Sequence, residues 1–305
     1  MFLIVGATGS LGGSVAKALL ERGERVRALV RPQSPLRLVG RFTDPAELQR
    51  LGADLVEGDL LTPETIEPHL EGVKAVLSTA SGTKRAAPDT IQAVDHEGTA
   101  ALAGMAERAG VEHLVYVSAR GAGPHSPPFL RVKWQTEEAI RKNGPPATLV
   151  RPAAYMQDWI GFVYGAQLQG GTRVQLIGET DPLKVYVDEA DVATLITELL
   201  LSGPPSAGER TRTVDFSADV ARASEVVERM AQASGLPLTS ERIPVGASVD
   251  TVPEPLATSI TQLLTMMADQ PDDPYVSTGI GERYGFEPRK VDDFVDAMLA
   301  AAMAR

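Results

Sequence analysis

The segment Gly6-Ala7-Thr8-Gly9-Ser10-Leu11-Gly12 sets three glycines at G-x-x-G-x-x-G spacing. It joins an apolar tetrad, Phe2-Leu3-Ile4-Val5, to a helical pattern that begins at Leu11. Glycines in such a turn let the backbone bend tightly and approach a pyrophosphate. The helix N-terminus that follows offers amide donors and a favourable dipole. Turns also collect glycine for steric reasons alone. Context decides here, because a strand precedes the loop, a helix follows it, and repeated strand–helix units come after. Gly6, Ala7, Thr8, Gly9, Ser10, Leu11 and Gly12 therefore read as a dinucleotide-binding loop.

Other positions suggest which dinucleotide. The second apolar run ends Leu29-Val30-Arg31-Pro32. An acid there would hold a ribose 2′-hydroxyl, whereas Arg accommodates a 2′-phosphate. Arg31 thus favours NADP over NAD, with Ser34 and Arg37 as further contacts; the alternative is a solvated loop arginine. Asp59, in Glu57-Gly58-Asp59-Leu60, either meets an adenine amino group or begins the next helix. Thr79 and Ala80, within Ser78-Thr79-Ala80-Ser81-Gly82, leave room for a ribose or form an ordinary turn.

The composition excludes several alternatives. Among 305 residues there is no Cys, so thiol nucleophiles, disulfides and thiolate metal sites drop out. The four His residues lack metal-ligand spacing, and no Gly-x-Ser-x-Gly elbow occurs. A net charge of −11 argues against a nucleic-acid footprint, which needs a basic face. No apolar run approaches the roughly 18 residues of a membrane span, and no targeting signal precedes Gly6. The expectation is a cytoplasmic protein that handles small molecules, with no nucleic-acid or membrane partner.

These residues need a scaffold, and the first half supplies a regular one. Apolar runs at Phe2–Val5, Val26–Val30, Ala53–Val56, Ala75–Leu77, His113–Val117 and Thr148–Val150 alternate with helical stretches. One helix is expected to start at Thr62-Pro63-Glu64, and another to run from about Ile91 to Glu107. Strands that are apolar on both faces and alternate with helices indicate a parallel sheet covered on each side. The second half is less regular, with strands expected at Arg173–Ile177, Lys184–Val187 and Thr211–Phe216. Helices are expected at Ala190–Leu201, Ser224–Ala233 and Val291–Ala302. The expected architecture is α/β: a Rossmann-type doubly wound parallel sheet over residues 1–152, and a smaller C-terminal α/β substrate lobe over 153–305. Some segments of that lobe should return to the main sheet.

Several stretches, in order along the chain, resemble the NmrA-like family of atypical short-chain dehydrogenases/reductases. They are the opening Gly-Ala-Thr-Gly-Ser-Leu-Gly, Leu29-Val30-Arg31, Gly58-Asp59-Leu60 and Ala109-Gly110-Val111-Glu112-His113-Leu114-Val115-Tyr116-Val117-Ser118. Leu149-Val150-Arg151-Pro152 and Val187-Asp188-Glu189-Ala190-Asp191-Val192-Ala193 continue the series. The resemblance covers roughly residues 1–200. It implies NADP(H) across the carboxyl edge of the sheet, Asp59 and Leu60 among its contacts, and a small-molecule substrate in a C-terminal cleft.

Typical members of the wider superfamily carry Tyr and Lys four residues apart on the helix after the fifth strand. The Lys holds the nicotinamide ribose and lowers the Tyr pKa, so that the phenol can pass a proton. Here the helix reads Phe129-Leu130-Arg131-Val132-Lys133-Trp134-Gln135-Thr136-Glu137. Lys133 stands where the resemblance places it, but Phe129 replaces the Tyr. The bland reading of Lys133 is a surface partner of Glu137, and that of Phe129 is a core-facing residue. Ser118 is either the substrate-polarising serine or a turn cap. Tyr155 either lines the nicotinamide pocket or forms an aromatic wall. Two functions follow: an NADPH-dependent reductase of quinone-like or aromatic molecules that uses Lys133, Ser118 and Tyr155, or a non-catalytic NADP(H) sensor acting on a protein partner. A sugar-nucleotide epimerase is disfavoured, since that chemistry depends on the Tyr.

Overall fold

The computed structural model describes residues 1–31, 42–82, 90–254, 256–268 and 270–303. The chain divides into two compact units, one of residues 1–152 with 192–215 and one of 153–191 with 216–305.

The first unit opens with β1 (Phe2–Val5), α1 (Ser10–Glu21) and β2 (Val26–Val30). A short α2 (Pro45–Arg50), which periodicity did not reveal, starts where the Asp44 side chain accepts from the Ala46 amide at 2.9 Å. β3 (Asp54–Glu57) and β4 (Ala75–Ser78) follow. No α-helix forms between them. Two 3₁₀ turns, Pro63–Thr65 and Glu67–Leu70, occupy the stretch, because Pro68 removes the amide a longer helix would need. The expected helix near Ile91 begins as a π-helical turn, Gln92–Gly98, and continues as α3 (Thr99–Arg108). β5 (His113–Val117), α4 (Pro128–Asn143) and β6 (Ala147–Pro152) complete the regular series.

In the second unit, β7 (Ala154–Tyr155) leads into a π-helical segment, Gln157–Tyr164, then β8 (Arg173–Ile177) and β9 (Lys184–Val187). The chain then enters α5 (Glu189–Ser202) and β10 (Thr211–Phe216), whose residues 192–215 belong to the first unit. The second unit resumes with β11 (Asp219–Ala221), α6 (Ala223–Ser234), β12 (Thr239–Ile243), α7 (Leu256–Met267), α8 (Ile280–Tyr284) and α9 (Val291–Met303).

The first unit's sheet has the order β10-β6-β5-β4-β1-β2-β3, and β1 to β6 pair in parallel. Leu3, Val76, Leu114 and Leu149 are among its fully buried core residues, which is why these strands read as continuous apolar runs. The fold is of the Rossmann type. Strand order reverses between β1 and β4, whose Val5 and Ser78 stand in register. Open parallel sheets bind their ligands at such a reversal, outside the carboxyl ends of the strands.

The second unit carries two small sheets, β11-β9-β7 and β12-β8. Its own core gathers Ile160, Val163, Tyr164, Val174, Tyr186, Val226, Met230, Ile260 and Val291. The Val187–Ala193 stretch serves a local purpose here. Asp188, fully buried, accepts from the Ala190 amide at 2.7 Å, from Gln157 at 2.8 Å and from Arg289 at 2.8 Å, so it caps α5 and ties it to the C-terminal segment.

Candidate active site

The glycine loop lies at the sheet's reversal point. Gly6 takes φ +93°, and a Cβ there would sit 2.5 Å from Thr79 Oγ1 and 3.0 Å from the Ala80 amide. A Cβ on Gly12 would strike the Gly6 carbonyl and lie 2.7 Å from Thr79 Oγ1. Two glycines and the β4 terminus are thus packed backbone to backbone. The Gly9 amide closes the turn on the Gly6 carbonyl at 2.9 Å, while Thr43 donates its amide to the Thr8 carbonyl at 3.2 Å and braces the loop from outside. Gly9, extended, is the N-cap of α1, and no side chain caps the helix. Its first turn holds no acid. The amides around Ser10, Leu11 and Gly12 therefore keep the positive end of the helix dipole available for an anion.

Arg31, at the end of β2, lies 3.8 Å from the Asp59 carboxylate just past β3. Asp59 also accepts from the Leu61 amide at 3.0 Å, so it shapes the following turn as well. Leu60 is buried, and Gly98 of the π-helical turn packs on its backbone so closely that a Cβ would collide. Ser34 and Arg37 lie outside the described residues.

The α4 side of the site is built from buried charge. Lys133 is 4% exposed and does not pair with Glu137 on the surface. Its ammonium meets Asp95 at 2.7 Å and donates to the Val117 carbonyl at 3.1 Å. It also stands 5.2 Å from the centre of the Tyr116 ring and 5.9 Å from that of Phe129. Burial alone would lower the Lys133 pKa, but the Asp95 carboxylate and the Tyr116 hydroxyl outweigh it and hold the ammonium above its usual range. Tyr116 is fully buried, and burial pushes its phenol up to about 12. Tyr116, the Tyr beside Lys133, thus lies wholly inside the core. Asp95 reaches further, accepting from the Gly82 amide at 2.7 Å just beyond β4.

One helical turn on, Glu137 is fully buried and collects a second set of partners. Ser118 Oγ donates to it at 2.5 Å. Arg151 forks onto both carboxylate oxygens at 2.8 and 2.5 Å, and Arg141 adds a contact at 3.1 Å. Glu137 thereby ties the end of β5 to α4 and β6. Tyr155 belongs to the second unit, where it pairs with Val187 of β9. Its hydroxyl is buried without a hydrogen-bond partner, and burial first, then Glu189 and Asp158, raises its pKa well above 10.

The structure thus gathers Gly6, Gly12, Thr79 and Ala80 at one point and joins Arg31 to Asp59. At the end of β5, Lys133 reaches the Val117 carbonyl and the next residue, Ser118, bonds Glu137. Sequence reasoning missed Asp95, Glu137 and Tyr116. A signal existed for the first two: Asp95 shares a helical face with Thr99, Leu102 and Ala106, and Glu137 shares one with Ile140, so both put an acid on an apolar stripe. Among the described residues no group of His, Asp or Glu is arranged to hold a metal ion, and no helix is long and apolar enough to cross a membrane.

The glycine loop, the switch-point sheet and the ordered motifs find their counterpart in a family match over residues 1–295. The chain belongs to the NmrA-like family. Among curated relatives it is 35% identical over 159 residues to the photosystem II assembly factor Ycf39 of Trieres chinensis, covering 52% of this chain and 47% of that one. It is 27% identical over 275 residues to the NAD(P)H azoreductase of Xenophilus azovorans, covering 87% of each. The chain spans about half the length of the first curated relatives it matches. Among solved structures, the Citrobacter sp. triphenylmethane reductase complexed with NADP(H) superposes with a TM-score of 0.73 at 19% identity, covering 98% of this chain and 100% of that one.

Proposed function

We propose that this NmrA-like protein is an NADP(H)-dependent oxidoreductase that reduces a quinone-like or aromatic small molecule. The observation that carries the reading is the β1–α1 turn. There Gly6 and Gly12 pack closely on Thr79 at the sheet's reversal point, and the helix that follows starts with no side-chain cap. A pyrophosphate fits that chemistry. Arg31 would pair with a 2′-phosphate, at present sharing its charge with Asp59. Ala80 and Thr79 would face the ribose, and Lys133, held in place by Asp95, would set the positive potential beside the nicotinamide ribose. The bound nicotinamide supplies a hydride. The chain's part is to fix the dinucleotide, to hold Lys133 and Ser118 at the end of β5, and, through Tyr155, to furnish an aromatic wall in the second unit. The azoreductase relative, similar over 87% of both chains, supports the reductase reading.

The test is to follow absorbance at the nicotinamide band while NADPH meets a panel of quinones and dyes. Lys133→Met alone leaves Asp95 buried and unpaired, so it is made together with Asp95→Asn. Saturable NADPH oxidation by the wild type that falls at least tenfold in the paired variant is expected. Tight NADPH binding without turnover across the panel would favour the sensor reading, which the missing phenol at Phe129 and the similarity to an assembly factor recommend.

A further inference from the structure

The described lysines, with one exception, have their charge matched or left in water. Lys17 meets Glu47 at 2.8 Å, Lys74 meets Glu24 at 3.5 Å and Lys133 meets Asp95 at 2.7 Å. Lys290 donates to the Ala218 carbonyl at 2.6 Å, and Lys142, on α4, is exposed. Lys84 lies outside the described residues. The exception is Lys184, the first residue of β9 in the second unit. It is half-buried, and among the described residues its ammonium makes no hydrogen bond or ion pair. What it meets is an aromatic face, with Nζ 5.4 Å from the centre of the Trp159 ring.

An acid stands close by, but it is committed elsewhere. Asp181 pairs with Arg242 at 2.6 Å and accepts from the Ser224 hydroxyl at 2.5 Å. Lys184, Asp181, Arg242, Tyr164 and Leu264 line one small cavity of the second unit. Burial is the main influence on Lys184 and lowers its pKa to about 8; Asp181 offsets this in part, and Arg242 adds to it. The Tyr164 phenol, pushed up to about 12 by burial, stays neutral beside them. Near neutral pH a sizeable share of Lys184 is therefore the uncharged amine, which has a lone pair to give.

We propose that Lys184 is a covalent capture site for small planar aldehydes. The amine lone pair adds to the carbonyl carbon, so that a C–N bond forms. The carbonyl C–O bond then breaks, and the oxygen leaves as water with both amine protons. The product is a neutral imine, and no oxidant or reductant is consumed. Because the imine carries no charge, it escapes the desolvation cost that the half-buried ammonium bears. The Trp159 face beside Nζ gives an aromatic aldehyde a surface to lie against, which an aliphatic one uses less. This chemistry is independent of the reductase reading.

The test incubates the full chain with benzaldehyde or propanal at a series of pH values and quenches with sodium borohydride, which fixes imines as secondary amines. Mass spectrometry of the digest then gives the labelled fraction at each lysine. At pH 7.5 benzaldehyde should label Lys184 at least tenfold more than Lys142, and the Lys184 label should be half-maximal near pH 8. Trp159→Leu should cut the benzaldehyde label at least threefold and leave the propanal label within twofold. Arg242→Gln releases Asp181 to pair with Lys184, so its label at pH 7.5 should fall at least threefold. A wild-type label on Lys184 no greater than on Lys142, or a half-maximal pH near the ordinary lysine value of 10.5, would overturn the proposal. Equal loss of both aldehydes in Trp159→Leu would overturn the part given to the ring.

Discussion

Two regions of the first unit solve opposite problems. At the switch point the chain strips itself of side chains: Gly6 and Gly12 let backbone meet the β4 terminus, and the end of α1 is left without a side-chain cap. Around α4 the chain does the reverse, burying Lys133, Asp95 and Glu137 and satisfying them from β4, β5 and β6. The first region brings backbone together and starts a helix that no side chain caps. The second spends its charged groups on itself, which fixes the rotation of α4 over the end of β5.

The largest effect is expected where charge is buried. Glu137→Ala leaves Arg151 without its forked partner, and breaking a buried pair costs about 3–5 kcal/mol. Thermal denaturation should show a Tm loss on the order of 10 °C. A loss under about 2 °C would mean that the cluster is solvated and the contrast false.

Next comes a buried histidine at the opposite end of β5. His113 bonds Thr148 at 2.9 Å, and burial, with Arg212 nearby, lowers its pKa to about 4. The unfolded chain takes up this proton near pH 6.5, the native chain only near 4, so stability falls as pH drops through that window and is flat above it. The contribution is on the order of 3 kcal/mol. Denaturant titrations from pH 7 to 4 should show the slope, and His113→Gln should flatten it; an unchanged slope would assign the effect elsewhere.

A smaller structural effect is expected at the open region. Gly12→Ala drives a methyl into the Gly6 carbonyl and Thr79, an overpacking cost of about 1–3 kcal/mol. Its signature is disproportion: a loss of NADPH affinity of tenfold or more beside a modest Tm change. Equal affinity in the variant would remove the loop from the binding site.

The same contrast explains what was legible in the sequence. The switch-point region depends on local pattern, with glycines between a strand and a helix and Arg31 at a strand end, and those features survive in one dimension. The β1–β6 series was equally readable, since strands buried on both faces are unbroken apolar runs. The α4 cluster depends on long-range pairing. Nothing near Lys133 along the chain announces Asp95, thirty-eight residues earlier, and the i+4 spacing to Glu137 pointed to a surface pair that the fold does not make. The turns after Thr62 were misjudged because a good start signal outweighed Pro68. The short strands β7, β11 and β12 carry too little alternation to show before their partners are known.

The central claim is that the open region binds a dinucleotide bearing a 2′-phosphate. Its most direct test is equilibrium titration of NADPH and NADH into the wild type and Arg31→Asp. The wild type should bind NADPH at least tenfold more tightly than NADH, and the variant should lose that preference chiefly through weaker NADPH binding. Equal losses for both dinucleotides, or no saturable binding of either by the wild type, would contradict the account.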